Sequence, residues 1–273
     1  MITTTERILL SVLLIAAWVL PAHAYDPQNR AEYLAKIKEA KALYEDRCKH
    51  VAGIKINKTV ADVDGVLLLK IRPERTDREL ADPMWPGAAF GREARGDGFI
   101  TSFLGYEYRG VNKDGVVSQT RGYIGTTKNP GGLPGYRWVE VLDPKDGQRY
   151  RHSARYDEPW QIDKNYLKGY IRFNLDKTPS PSKTPPRYAV TFEDHVIPEE
   201  RALWLASSTV KVLDLMTNEV LGEMTRYAIS YIHSPRYSMP WLNHYFCPTM
   251  NMTGDSDSTR QFVDQILIPT KEK

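Results

Sequence analysis

The sequence predicts an α+β protein, mainly an antiparallel β-sheet or sandwich, with helices at its N- and C-terminal ends. Three observations predict it. Tyr188, Val190 and Phe192 alternate with Ala189, Thr191 and Glu193, the two-residue period of a strand with one buried face. Two pairs of β-rich runs flank short turn sequences, Asp143-Pro144-Lys145-Asp146-Gly147 and Met216-Thr217-Asn218-Glu219, which reads as two hairpins. Near both ends of the chain, apolar residues instead recur at three- and four-residue steps, the spacing of a helix face.

The first segment reads as an export signal. Arg7 precedes the apolar run Ile8 to Leu20; Pro21 follows, then Ala22-His23-Ala24, which has the small-x-small form of a signal-peptidase site. Cleavage is expected after Ala24, leaving residues 25–273 as a single α+β domain. The apolar run is short for a transmembrane helix, with an uncleaved anchor as the alternative, and no cysteine follows it for lipid attachment. No later stretch is apolar enough to span a bilayer. The expectation is a protein located outside the cytoplasm, without integral membrane association after signal cleavage.

In chain order, Leu34, Ile37, Ala40, Tyr44, Cys48 and Val51 place an amphipathic helix over Pro27 to about His50, laid on the core. Ile54–Thr59 and Gly65–Arg72 read as strands, the second apolar on both faces and therefore central. Residues 73–98, broken by Pro73, Pro83, Pro86 and four glycines, read as a long irregular loop, a common kind of binding element. In it Trp85 and Phe90 read either as an exposed contact patch or as plugs holding the loop down. The glycine-rich stretch 110–135 reads as a second loop, with a strand near Val116–Tyr123. Tyr136–Leu142 and Gln148–Tyr156 form the first hairpin. Arg149, Arg151 and Arg155 share one face of its return strand. Tyr166–Asp176 alternates next, with Lys168, Tyr170, Arg172 and Asn174 on one side. Paired, these strands present a basic face interleaved with tyrosines, read either as an ordinary solvated face or as a docking surface for an acidic partner. Thr178–Pro186 is an extended connector. Pro198, Glu199 and Glu200 start a short helix reaching Ala206, and Thr209–Leu215 and Val220–Ile229 form the second hairpin. Ser258 with Gln261 fits a capping box for a last helix, ended by Pro269.

The formal net charge is +3, which argues against a nucleic-acid binder. Residues 137–187 hold eleven Lys and Arg against seven Asp and Glu, and residues 188–273 hold the reverse, seven against eleven. The two cysteines, Cys48 and Cys247, are most simply a disulfide in an oxidising space, with two unpaired thiols as the alternative. Closing so long a loop is worth roughly 5 kcal/mol by chain entropy. Neither cysteine has metal-ligand spacing.

Known catalytic motifs are missing: there is no GxSxG, HExxH, phosphate loop or dinucleotide fingerprint. Glu193-Asp194-His195 offers an acid, an orienter and a base, but neighbours on a strand point to opposite faces. His233 and His244 lack a third metal ligand. The scatter of Trp85, Trp138, Trp160, Trp204 and Trp241 favours core packing over a sugar platform. The expectation is a non-enzyme with no cofactor and no metal. The alternatives are a periplasmic enzyme acting on lipid or cell-wall glycan, and a ligand-binding periplasmic module.

Several stretches taken together resemble a known family: TyrGluAspArgCys at 44–48, ValLeuLeuLeuLysIleArgProGlu at 66–74, GlyAspGlyPheIle at 96–100, AspProLysAspGly at 143–147, GluProTrp at 158–160 and AspLeuMetThrAsnGluVal at 214–220. Their order and spacing are similar to those of exported proteobacterial proteins that look like the periplasmic immunity proteins of type VI secretion effectors, toxins that include phospholipases and a metallopeptidase. The resemblance implies a protein that binds and neutralises a cognate toxin by covering or distorting its active site. No functional residue carries over from the family. The surfaces expected to bind are the 73–98 loop with Trp85, Phe90 and Arg92; the basic face with Arg149, Arg151, Arg155, Lys168, Tyr170 and Arg172; and the 233–246 loop.

Overall fold

The computed structural model describes residues 27–104, 123–124, 135–143, 145–230, 239–249 and 256–271. The signal segment, most of the 110–135 stretch and His233 lie outside the described residues. By compactness the chain divides into residues 1–39 and residues 40–273. The helices are α1 (Pro27–His50), α2 (Asp77–Ala81), α3 (Asp97–Leu104), α4 (Pro198–Ala202) and α5 (Ser258–Val263). The strands begin with β1 (Gly53–Ile56), β2 (Val60–Val63), β3 (Gly65–Leu68), β4 (Tyr123–Ile124), β5 (Trp138–Leu142) and β6 (Arg149–Asp157). They continue with β7 (Tyr170–Pro179), β8 (Tyr188–His195), β9 (Leu205–Asp214), β10 (Glu219–Ile229), β11 (Tyr245–Cys247) and β12 (Leu267–Pro269).

The protein is α+β. Among the described residues the strands form one ten-stranded sheet, in the order β1-β10-β9-β8-β3-β5-β6-β7-β4 with β11 also on β10, and a separate β12-β2 pair. A single sheet, rather than a two-sheet sandwich, is therefore the form taken. Most pairings are antiparallel, but β3 runs parallel to both β5 and β8. That placement explains why Val66, Leu67 and Leu68 are apolar on both faces: β3 is the buried middle of the sheet. Gly65 is required there because the Trp138 ring lies where a Cβ would stand.

One face of the sheet carries the main core. Val66, Leu68, Val139, Val190, Val210, Val212 and Met224 meet the segment between β3 and α3 and the α5 region, which contributes Phe262, Val263 and Ile266. The segment expected to be an irregular loop is ordered. Thr76 caps α2 with a reciprocal Glu79 bond, a capping box legible as Thr-x-x-Glu. A 3-10 turn at Pro86–Phe90 then sinks into the sheet because Gly87, Ala88 and Ala89 are small. On the other face, Leu67 and Ala189 are buried at the middle of the sheet, and Ala40, Leu205, Tyr227 and Ile229 form a second cluster with Leu43 and Tyr44. Ala40, Leu43 and Tyr44 of α1 belong to this cluster, and Leu34 is 51% exposed.

Element boundaries differ from expectation for local reasons. α4 ends at Ala202, not Ala206, because Trp204 at φ +55° turns the chain into β9. The second hairpin turns one residue early, with Asn218 at φ +57°, a conformation Asn tolerates. At α5 it is Asp257, not Ser258, whose carboxylate meets the Gln261 side chain, at 2.8 Å. Pro269 sits in β12 rather than closing the helix.

Candidate functional site

Cys48 and Cys247 form a disulfide with a Cα–Cα distance of 5.7 Å, tying the last turn of α1 to β11 across 199 residues. The pairing that composition suggested is present. Its effect is positional. Tyr44 lies one helical turn before Cys48, and Tyr245 and Phe246 immediately precede Cys247. Between them opens a groove of about 510 Å³, lined by Tyr44, Glu45, Arg92, His244, Tyr245 and Phe246 among others. Tyr245 is 65% exposed at its rim. Every wall is held from behind: α1 by the disulfide and by the Arg47–Glu200 ion pair at 2.8 Å, and β11 by its pairing to β10.

Arg92, like Met84 and Pro86, is an exposed residue of the segment around the 3-10 turn. It donates to the His244 carbonyl at 2.9 Å and lies 5.8 Å from the Phe246 ring centroid. His244 itself is buried and donates from Nδ1 to the Trp241 carbonyl. A carbonyl only accepts, so Nδ1 carries the proton. Burial pulls the imidazole down to about 3, so it is neutral at ordinary pH. Behind Arg92 runs a ladder of alternating cations and rings. Arg226 lies 3.7 Å from Phe246 and 4.6 Å from Phe90; Arg72 lies 4.1 Å from Phe90 and 4.0 Å from Phe192; Lys70 lies 5.9 Å from Phe192. Guanidinium groups stack on aromatic faces and accept burial better than ammonium groups. The ladder gives the groove a stiff floor.

Two of the expected contact residues are corrected by burial. Trp85 and Phe90 are 5% and 1% exposed. They are plugs, because large rings gain most from burial and the small residues between them let the turn approach the sheet. Trp85 also receives Arg95, at 4.9 Å.

The basic face is corrected by its neighbours. Arg149 and Arg151 both bind the buried carboxylate of Glu140, at 3.1 and 2.9 Å. Arg149 also donates to the carbonyls of Ser182, Lys183 and Thr184, fastening the connector. Arg155 pairs with Asp176 at 3.0 Å, and Arg172 grips Asp157 through two bonds of 2.9 and 2.6 Å. That grip holds the Asp157 carboxyl below its ordinary range. Residues two apart on one strand share a face, but the adjacent strands contribute the carboxylates, so the face is of mixed charge. Lys168 lies in the turn before β7, which starts at Tyr170 rather than Tyr166, and Tyr170 stacks on Tyr166 at 5.6 Å. A second hollow, about 610 Å³, opens beside this turn between Asp157, Glu158, Ile162, Asp163, Tyr166 and Arg172. Ile162 stands 94% exposed on it.

The candidate catalytic cluster diverges as strand geometry requires. Asp194 pairs with Arg72 at 2.9 Å, while His195 Nε2 meets the Thr209 hydroxyl at 2.9 Å on the opposite face. No group of three metal-ligating side chains occurs among the described residues. Among them also, no helix is long and apolar enough to cross a membrane. The tryptophans are distributed: Trp204 packs on Trp241 at 5.4 Å, and Trp138 carries Arg151 at 4.0 Å. The structure thus gathers Arg92 with Tyr44, Tyr245 and Phe246, and keeps Arg149, Arg151, Arg155 and Arg172 together on the β6–β7 face. Tyr44 had read only as one apolar position of α1, and nothing local in the sequence brings it to β11 except the cysteine four residues later. Comparison of the chain with protein families, curated proteins and solved structures finds no match in any of the three.

Proposed function

We propose that this protein is a periplasmic immunity protein that binds and neutralises a toxin delivered by type VI secretion, acting by occlusion and not by turnover. The resemblance of its motifs to that family supplies the class. The single observation that carries the mode of action is the groove between Tyr44 and Tyr245. Tyr and Arg are the side chains that most often anchor protein interfaces, because they bury large area while keeping a polar end satisfied. Here they stand on a floor fixed by a disulfide and a cation–ring ladder, so little ordering entropy is lost on binding. The disulfide also suits an oxidising space.

An inhibitor interface of this kind buries about 1,600 Å² in total. The groove is its centre and the surrounding polar surface its rim. The test is titration of the purified protein into the toxin encoded beside its gene. The expected result is a one-to-one complex with the toxin's activity abolished at equivalence. A toxin that stays fully active at saturating concentrations of the folded, oxidised protein contradicts the reading.

A further inference from the structure

The groove between α1 and β11 follows an open edge of the sheet. β10 pairs with β9 on one side. On its other side it carries β11 at residues 227–229 and β1 at residues 222–225. Among the described residues neither β11 nor β1 pairs with a further strand. β11 is therefore an edge strand, with one side of its backbone turned away from the sheet.

The register identifies the groups that turn away. The Ser230 N–H donates to the Trp204 carbonyl at 3.1 Å, one step beyond the Ile229–Leu205 pair. Hydrogen-bonded pairs alternate along an antiparallel ladder, so Ala228 bonds to β9 while Tyr227 and Ile229 bond to β11. The Asn57 N–H, which donates to the Leu221 carbonyl at 2.8 Å, gives the same parity from the β1 end. Tyr245 and Cys247 lie opposite Ile229 and Tyr227 and direct their backbone bonds inward. Phe246 lies opposite Ala228, so its N–H and C=O point outward. Among the described residues nothing pairs with them.

The walls of the groove come from the two faces of the sheet. Tyr44 packs with Leu205, Tyr227 and Ile229, and Tyr245 stands opposite Ile229 on that face. Phe246 meets Arg92 and Arg226 on the other face. A groove lined by both sets runs along the edge between them. A helix laid there has already used its backbone groups internally, whereas an extended segment offers N–H and C=O groups at the spacing of a strand. Its side chains would alternate between the tyrosine wall and the Arg92 wall. Lys41 and Glu45 offset each other at 3.7 Å and His244 is neutral, so Arg92 leaves the groove positive.

We infer that the groove takes an extended segment of the toxin as an added β-strand, bonded through main chain to Phe246, with an apolar side chain on Tyr44 and Tyr245 and a carboxylate on Arg92. This rests on the reading of the groove as the docking site, and it specifies what docks.

The test uses the full exported chain. It has seven phenylalanines, so labelling them alone with a nitrogen isotope isolates the Phe246 amide by NMR. Hydrogen exchange is followed in the free protein and in its complex with the toxin encoded beside its gene. Phe246 should exchange freely in the first and slow by about tenfold or more in the second, the effect of one new hydrogen bond, while Phe192 inside the sheet does not change. A crystal structure of the complex should place a toxin main-chain carbonyl about 2.9 Å from the Phe246 nitrogen and a toxin carboxylate on Arg92. An amide already slow in the free protein means that the chain covers its own edge, and protection that grows with protein concentration alone means that a second copy fills it; either overturns the inference. A one-to-one complex with unchanged Phe246 exchange, or with a helix in the groove, overturns strand addition and leaves the immunity reading standing. Absence of any complex overturns both.

Discussion

Arg72 lies between the rings of Phe90 and Phe192, its guanidinium carbon 4.1 Å from one centroid and 4.0 Å from the other. The same group holds Glu93 and Asp194 through charged hydrogen bonds. One side chain therefore joins β8, the 3-10 turn and the segment that follows it. Arg72→Ala removes the cation and leaves two carboxylates without their partner. Equilibrium urea unfolding should show a loss of about 3–5 kcal/mol, the range for breaking a buried ion pair. A loss under about 1 kcal/mol would mean the ladder does not hold the core together.

The disulfide fixes the groove as well as the fold. Replacing both Cys48 and Cys247 by serine should cost about 2–5 kcal/mol of stability under oxidising conditions. Reductant should bring the wild-type protein down to the level of the variant and leave the variant unchanged. Equal stability of the two proteins without reductant would contradict this account.

His244 sets a pH dependence. Its folded value, about 3, lies below the ordinary value of 6.5, so the unfolded chain takes up the proton more readily. The stability linked to this group is complete above pH 6.5 and is lost progressively as pH falls toward about 3. Across pH 7 to 5, Tm of the wild-type protein should fall more steeply than Tm of His244→Gln. Parallel curves would remove His244 from the explanation.

The two exposed surfaces make opposite predictions for binding. Tyr245→Ala and Arg92→Ala should each weaken toxin binding by about tenfold or more, the scale of an interface anchor, with Tm nearly unchanged. Arg155→Ala, on the mixed-charge face, should stay within about twofold, as expected of an exposed ion pair. Calorimetric titration separates these outcomes, and a large effect confined to Arg155→Ala would move the interface to the β6–β7 face.

The sequence made much of the fold legible where one local signal decides one local outcome. The α1 span, the two hairpins and the alternation of β8 follow from periodicity and turn chemistry. The parallel placement of β3 does not, because β5 and β8 are far along the chain and nothing near Val66 names its neighbours. The segment around Trp85 was misread for a related reason. Proline and glycine mark broken helix, and they also mark a turn small enough to pack against a sheet. The basic face failed through its partners: Arg149, Arg151 and Arg155 do share a side, but Glu140, Asp157 and Asp176 reach the same side from other positions in the register. Of the groove, Arg92, the 233–246 loop that carries His244, Tyr245 and Phe246, and the cysteine pair are legible in the sequence; Tyr44 is not.

The most direct test of neutralisation is growth of cells that send the adjacent-gene toxin to the periplasm, with and without this protein, followed by purification of the toxin. The account predicts restored growth and co-purification of the two chains, both reduced when Tyr245 and Arg92 are replaced by alanine together. Unrestored growth in cells where the protein is exported, oxidised and folded would contradict it.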